Sequence, residues 1–283
     1  MTGLFSAITA NASVSRKRVA IGITELTPAL IGDLKRAEEF ADIVTVGASV
    51  REFESISIET TGGNVDRKAS DCLMSLVKGN EVAAIVRGQV YYTDYHNSMN
   101  AHFGFERDVM CPYLLRDRCD NEWFITPVVH HDDASISGRC YLASQTARIC
   151  RKLVKEVVVI GVLAPDKRKE MGYDKAVDRG IREAEAIVER LQADGLDARL
   201  VELRIDLAAA NSHIVVPMDG IVGNFVYRSL GSLGKATLVG GFTLTNRFVS
   251  IDTSQSQEGY SHAIEAAVAF ANLGGMPVED YAR

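Results

Sequence analysis

The chain has 283 residues, 47% hydrophobic and 24% charged, with a formal net charge of −6. That length and composition suit a folded α/β chain of about two domains or one large unit, and the acidic balance argues against the electrostatic footprint of a nucleic-acid binder. No run of roughly 18 apolar residues predicts a spanning helix, and the N-terminal stretch lacks the leading basic region of a signal peptide, so a cytoplasmic protein without membrane insertion is expected.

In chain order, Arg18–Ile23 reads as a first buried strand, and Thr27-Pro28 opens a helix, because proline in the first helical turn gives up no needed hydrogen bond. Ala41–Val46 is a second strand. Asp66 is placed to cap a helix whose apolar residues Ala69, Cys72, Leu73, Leu76 and Val77 follow the i, i+3, i+4 spacing. Glu81–Val86 is a third strand. Near-continuous apolar strands between amphipathic helices predict a parallel sheet covered on both faces.

Residues 89–150 hold most of the His, Tyr and Cys and have weak periodicity, which predicts an irregular or antiparallel insertion. Within it, Trp123–Val129 reads as a strand with an edge position at Pro127. Regularity returns at Glu156–Leu163, a strand, and at a helix from about Asp174 to Ala193. Strands at Ala198–Leu203, Ile214–Val216, Ala236–Val239 and Arg247–Ile251 follow, and a helix from about Gln257 to Asn272 closes the pattern.

The segment from His213 to Arg228 carries the strongest chemical signal. A short strand breaks at Pro217 and delivers Asp219 and a glycine-spaced turn, Gly220 and Gly223, into a helix. Ligands of α/β sheets bind where strand ends hand over to helices, since backbone N–H groups and the helix dipole converge there. Asn224 and Arg228, one helical turn apart, suit an anionic group, although an ordinary strand–turn–helix corner reads equally well. Arg87-Gly88 through Thr93 follows a buried strand in the same way. Asp252, Thr253, Ser254 and Ser256 precede the last helix, where hydroxyls either cap the helix or hold phosphate.

Other constellations point away from chemistry. His130-His131-Asp132-Asp133 contains good metal ligands, but neighbours on a strand face opposite ways, so a solvated turn and no metal site are expected. Five cysteines with wide, irregular spacing form no C-x-x-C pair and predict inert thiols. There is no GxGxxG, Walker A or GxSxG pattern.

The run Asp219-Gly-Ile-Val-Gly-Asn-Phe-Val-Tyr-Arg-Ser-Leu230, followed by Ala236-Thr-Leu-Val-Gly-Gly241 and Asp252-Thr-Ser254, resembles the C-terminal half of the phosphate acetyl/butyryltransferases. With Ser-Gln-Glu-Gly-Tyr-Ser-His262, the whole chain looks most like the methanogen-restricted relatives called methanogenesis marker protein 4, or MtxX. The resemblance implies a two-domain isopropylmalate dehydrogenase-like (phosphotransacetylase-like) α/β fold with an interdomain cleft. One domain would join 1–103 to 241–283 and the other would hold 104–240. It also implies a homodimer and a transferase acting on a small anionic metabolite, an acyl phosphate or thioester, with coenzyme A or another thiol as carrier.

Under that resemblance Ser254, Asn224, Asp219 and Asp252 are the catalytic candidates. Arg87, Gly88, Thr93, Gly223, Arg228 and Gln255 are the substrate-binding candidates. Gln255 stands where the family has an arginine, and that substitution removes a bidentate cation. A second reading is therefore a non-catalytic, metabolite-binding or docking subunit that works with methyl-transfer proteins.

Overall fold

The computed structural model describes residues 3–48, 50–58, 64–105, 109–129, 132–255 and 257–278. Its elements, in order, are α1 (Leu4–Ala12), β1 (Lys17–Ile23), α2 (Pro28–Ala37), β2 (Ala41–Gly47), β3 (Glu54–Ser57), α3 (Val65–Lys78), β4 (Ala84–Val86) and α4 (Tyr92–Phe103). Then come β5 (Tyr113–Arg116), β6 (Glu122–Ile125), α5 (Ile136–Leu153), β7 (Val159–Ala164), α6 (Lys175–Ala193), β8 (Asp197–Glu202) and α7 (Ile205–Asn211). The chain continues through β9 (Ile214–Val216), α8 (Gly220–Ser232), β10 (Thr237–Phe242), β11 (Val249–Asp252) and α9 (Ser261–Asn272). The mixed α/β class expected from the apolar strands is what forms.

Two compact units divide the chain. One comprises residues 6–109 and 239–276, the other 1–5, 110–238 and 277–283. In the first, the strand order is β3-β2-β1-β4-β11-β10, with all neighbours parallel except β10 and β11. Val19 and Ala20 of β1 are both fully buried, as a sheet covered on two sides requires. Leu73, Met74 and Val77 of α3 pack with Ala20, Val44 and Ile85, and Tyr95 and Met99 of α4 join them. The alanine-rich α9 packs on β4 and β11 and against α2. Its small side chains allow a close approach to the sheet.

In the second unit the order is β5-β6-β9-β7-β8, with β5 antiparallel to β6 and the rest parallel. α5 and α6 lie side by side, and α7 packs against β7. The stripe on α6 buries Ile181, Ala184, Ile187 and Leu191, and Asp174 caps it by accepting from Ala176 N at 2.8 Å and Val177 N at 3.0 Å.

Several expectations need correction. Asn64, not Asp66, caps α3, and Asp66 instead accepts from Tyr91 N at 2.9 Å. Of the two alternatives for 89–150 the antiparallel one holds, in the β5–β6 pair, but the stretch is more regular than expected: among its described residues it also holds α4 and most of the 18-residue α5. Pro127 lies beyond β6, which is an interior strand between β5 and β9. The last helix starts at Ser261 rather than near Gln257, and no hydroxyl from 253–255 caps it. Its first N–H groups, on Tyr260 and Ser261, are taken by the carboxylate of Asp33 on α2.

Candidate functional site

The first set of candidates gathers where β4 and β11 end side by side. Arg87 N donates to Ile251 O at 3.0 Å, continuing the ladder one residue past the strand. Gly88 then turns with φ +65, and a Cβ there would stand 1.9 Å from Gly22 O, so only glycine fits. The Arg87 side chain folds back inside the unit. Its Nε donates to Asp252 Oδ1, its Nη1 to Val90 O at 2.6 Å, and the guanidinium lies 5.7 Å from the Tyr92 ring centre. Both partners of this ion pair are buried. Thr253 Oγ1 donates to Gly88 O at 3.1 Å and closes the junction.

Ser254 and Gln255 follow directly. Their carbonyls share the Tyr260 hydroxyl, at 3.2 and 3.4 Å. Burial pushes the Tyr260 phenol up to about 12, so it stays a donor at any ordinary pH. The Ser254 side chain is half-buried, and Gln255 and Thr93 are exposed. Ser256 lies outside the described residues. Sequence and structure thus bring Arg87, Gly88, Asp252 and the Ser254-Gln255 turn together, while Thr93 sits exposed in the first turn of α4.

The second set lies at the β9–α8 junction. Asp219 is the N-cap of α8, accepting from Val222 N at 2.8 Å. Gly220 and Gly223 belong to the helix itself, not to a turn before it. A Cβ at either would meet Val129 O or Pro127 O at 1.9 Å, so the glycines let α8 rest directly on the backbone of 127–129. Tyr227 continues that buried stripe, packing edge-on against Tyr113 at 5.0 Å. Asn224 stands beside the stripe, and its Oδ1 accepts from Arg228 Nε at 2.9 Å. Among the described residues Arg228 pairs with no carboxylate.

The loop beneath α8 holds a residue that sequence reasoning missed. Of the turn expected to be solvated, His130 and His131 lie outside the described residues, but Asp132 is only 5% exposed. Its Oδ2 accepts from Val128 N at 2.9 Å and Val129 N at 2.8 Å. Oδ1 is buried with no hydrogen-bond partner among the described residues. Burial outweighs the two backbone donors and raises this carboxyl to about 6. Asp132 N in turn donates to Val129 O at 3.0 Å, and no spacing in the sequence signals this closed turn.

No group of three or more His, Cys, Asp or Glu among the described residues is arranged to hold a metal ion. Burial raises the thiols of Cys72, Cys140 and Cys150, which suits inert side chains. No described helix is long and apolar enough to cross a membrane.

With this geometry in hand, no protein-family model matches the chain. Over 276 residues, 96% of this chain and 97% of the other, it is 29% identical to a protein of Methanosarcina acetivorans described as "Putative methyltransferase mtx subunit X". The chain is a homologue of the MtxX proteins. The fold extends further. A phosphotransacetylase from Streptococcus pyogenes superimposes with a TM-score of 0.64 at 16% identity, covering 96% of this chain and 98% of that one. A 4-hydroxythreonine-4-phosphate dehydrogenase from Klebsiella pneumoniae gives 0.54 at 12% identity, covering 90% and 98%. The chain therefore has the phosphotransacetylase-like fold that its motifs predict.

Proposed function

We propose that the protein is a transferase of the phosphate acyltransferase type, whose anionic acyl-phosphate or thioester substrate is held by Arg228 and Asn224 on α8. The observation that carries this reading is the state of Arg228. Its guanidinium is oriented by a neutral amide and compensated by no carboxylate among the described residues, whereas Arg87 is neutralised by Asp252. An oriented, uncompensated guanidinium matches the two oxygens of a phosphate or carboxylate.

In this reading the sulfur of a thiol carrier, coenzyme A or a related thiol, attacks the acyl carbon of an acyl phosphate, the carbon–oxygen bond to phosphate breaks, and the thiol proton leaves with the departing phosphate. No protein adduct is needed, so protein groups position the reactants and stabilise charge. On α8, Asn224 donates a hydrogen bond to the anion held by Arg228, and Gly223 keeps a side chain out of the way. Ser254, at the separate β4–β11 junction, is a candidate donor in its own unit, where Gly88 leaves room and Thr93 and Gln255 offer neutral polar groups. Asp252 holds Arg87, and Asp219 fixes the first turn of α8.

A second reading is a non-catalytic subunit of a methyl-transfer assembly. Gln255 in the place of the family's arginine favours it, as does the description of the MtxX relatives as a subunit.

Thermal denaturation with phosphate, acetyl phosphate and coenzyme A separates the two. A ligand at 100 times its Kd stabilises the native state by roughly 2.7 kcal/mol, so at least one of these anions raises the melting temperature of the wild type and fails to raise that of Arg228→Ala. No shift with any of them, together with methyl-transfer proteins co-purifying in stoichiometric amounts, would overturn the transferase in favour of the subunit. A Ser254→Ala protein with unchanged turnover would remove the role given to Ser254.

A further inference from the structure

The first turns of α8 are seated on backbone rather than on side chains. Gly220 lies against Val129 O and Gly223 against Pro127 O, so close that no Cβ fits between helix and loop. Packed backbone on backbone leaves no side-chain slack, and a displacement of the loop passes directly to the helix. Asp132 grips that loop. Its Oδ2 accepts from Val128 N and Val129 N, and its own N donates to Val129 O at 3.0 Å. Val129 is thus held by Asp132 at both its N–H and its C=O, and that C=O is the atom beneath Gly220. Asn224 and Arg228 ride on the same helix.

We infer that Asp132 is a positioning residue for the anion contact: its carboxyl seats α8, and its protonation state sets where Asn224 and Arg228 are held. The ligand part of this inference rests on the proposed function, whereas the seating of α8 does not. Asp132 Oδ1 is buried with no hydrogen-bond partner among the described residues, so ionisation puts charge where nothing described neutralises it. The charged and titratable groups around the loop are engaged elsewhere. Asp219 caps Val222 N, Arg228 leans on Asn224, and Asp133 accepts from Ser135 N. Arg139 of α5 pairs with Glu183, and His213, just before β9, with Glu156. His130 and His131 lie outside the described residues. The neutral acid therefore suits the seated loop, in agreement with a carboxyl raised to about 6 by burial. Ionisation is relieved by turning Asp132 toward water, which lets go of Val129 and unseats α8. Anion binding is thus tighter in acid.

Backbone amide shifts and sulfate affinity of the full chain, followed from about pH 5 to about pH 8, test it. Sulfate is the probe because its charge is constant over this range. In the wild type the amides of residues 220–228 titrate with a midpoint of about 6, and sulfate binding weakens by about fivefold or more as pH rises. Asp132→Asn keeps an acceptor for Val128 N and Val129 N and carries no charge, so both readouts stay flat at their acid values. It also retains His130, His131 and His213, so a flat profile assigns the titration to Asp132. Arg228→Ala loses sulfate binding and keeps the titration of α8. Amides of α8 that stay fixed in the wild type, or that titrate alike in Asp132→Asn, overturn the inference. Amides that titrate in the wild type alone, with sulfate bound at no pH, uphold the seating by Asp132 and overturn the anion contact on Arg228.

Discussion

The two strand-to-helix junctions use the same local topology for opposite electrostatic ends. At the end of β4, Arg87 is buried, paired with the buried Asp252 and bonded to Val90 O. More than two turns into α8, Arg228 is exposed and leans on an amide. In the first, taking two charges out of water is offset chiefly by their mutual attraction, with the bond to Val90 O adding to it, so either partner alone is a liability. In the second, the charge stays solvated and costs little to keep. An arginine that follows a strand is thus not a ligand contact by position alone; what decides is whether a carboxylate has already been provided for it.

The sharpest way to break the comparison is Asp252→Ala. It strands the Arg87 guanidinium inside the unit and is expected to lower the unfolding free energy by about 3–5 kcal/mol in urea denaturation. A loss under about 1 kcal/mol would mean that the junction is not locked by this pair.

A smaller effect of opposite sign is expected beneath α8. The Asp132 carboxyl stands at about 6 in the folded protein against an ordinary 3.8. The folded value is raised, so the fold favours the neutral acid. Its contribution is fully present below about pH 4 and is lost as pH rises through about 6. Asp132→Asn keeps an acceptor for Val128 N and Val129 N and carries no charge. At about pH 8 the variant should be more stable than the wild type by on the order of 3 kcal/mol, with the gain vanishing near pH 4. Denaturation curves at the two pH values check this, and an equal gain at both would acquit the carboxylate.

The smallest effect sharpens the second junction. Asp219→Ala removes the cap on Val222 N and is expected to cost about 1 kcal/mol, with Asp219→Asn restoring most of it. Thermal melts of the three proteins decide. If Ala and Asn behave alike, the Asp219 side chain does not set the first turn of α8.

What the sequence revealed follows from periodicity. β1, β2, α2 and α6 show a strand run or a one-sided stripe, and the structure buries those residues; β8 also forms where its run predicts, with only Ala198 buried. The elements that escaped have no such contrast. α5 buries Arg139, Gln145 and Thr146 beside its apolar residues, so no polar face marks it as a helix. α4 begins at Tyr92 after a cap residue with no side-chain hydrogen bond; its clearest signal is Gly104, left-handed at its C-cap. β3 is four residues of mostly polar chain.

At the candidate site, the strand–glycine–Asp pattern located both junctions. It did not reveal what the glycines at 220 and 223 were for, because contact with the backbone of Pro127 and Val129 comes from a segment roughly 90 positions earlier. Nor could spacing reveal that Asp252 would neutralise Arg87 from 165 positions away. Asp132 was hidden for the same reason: burial is a property of the assembled unit, and two adjacent histidines read as solvent-facing.

The place of β11 in the sheet has a consequence for biosynthesis. β4 is flanked by β1 on one side and β11 on the other, yet more than half the chain is synthesised between β4 and β11. While the ribosome makes residues 110–238, β4 has an open hydrogen-bonding edge and Arg87 has not yet met Asp252. An open strand edge is a template for wrong pairing, and nascent chains are most exposed to it while a unit is incomplete. The arrival of residues 249–252 closes the edge and neutralises the arginine in one step, so the unit whose synthesis begins early stays incomplete until most of the chain has been made.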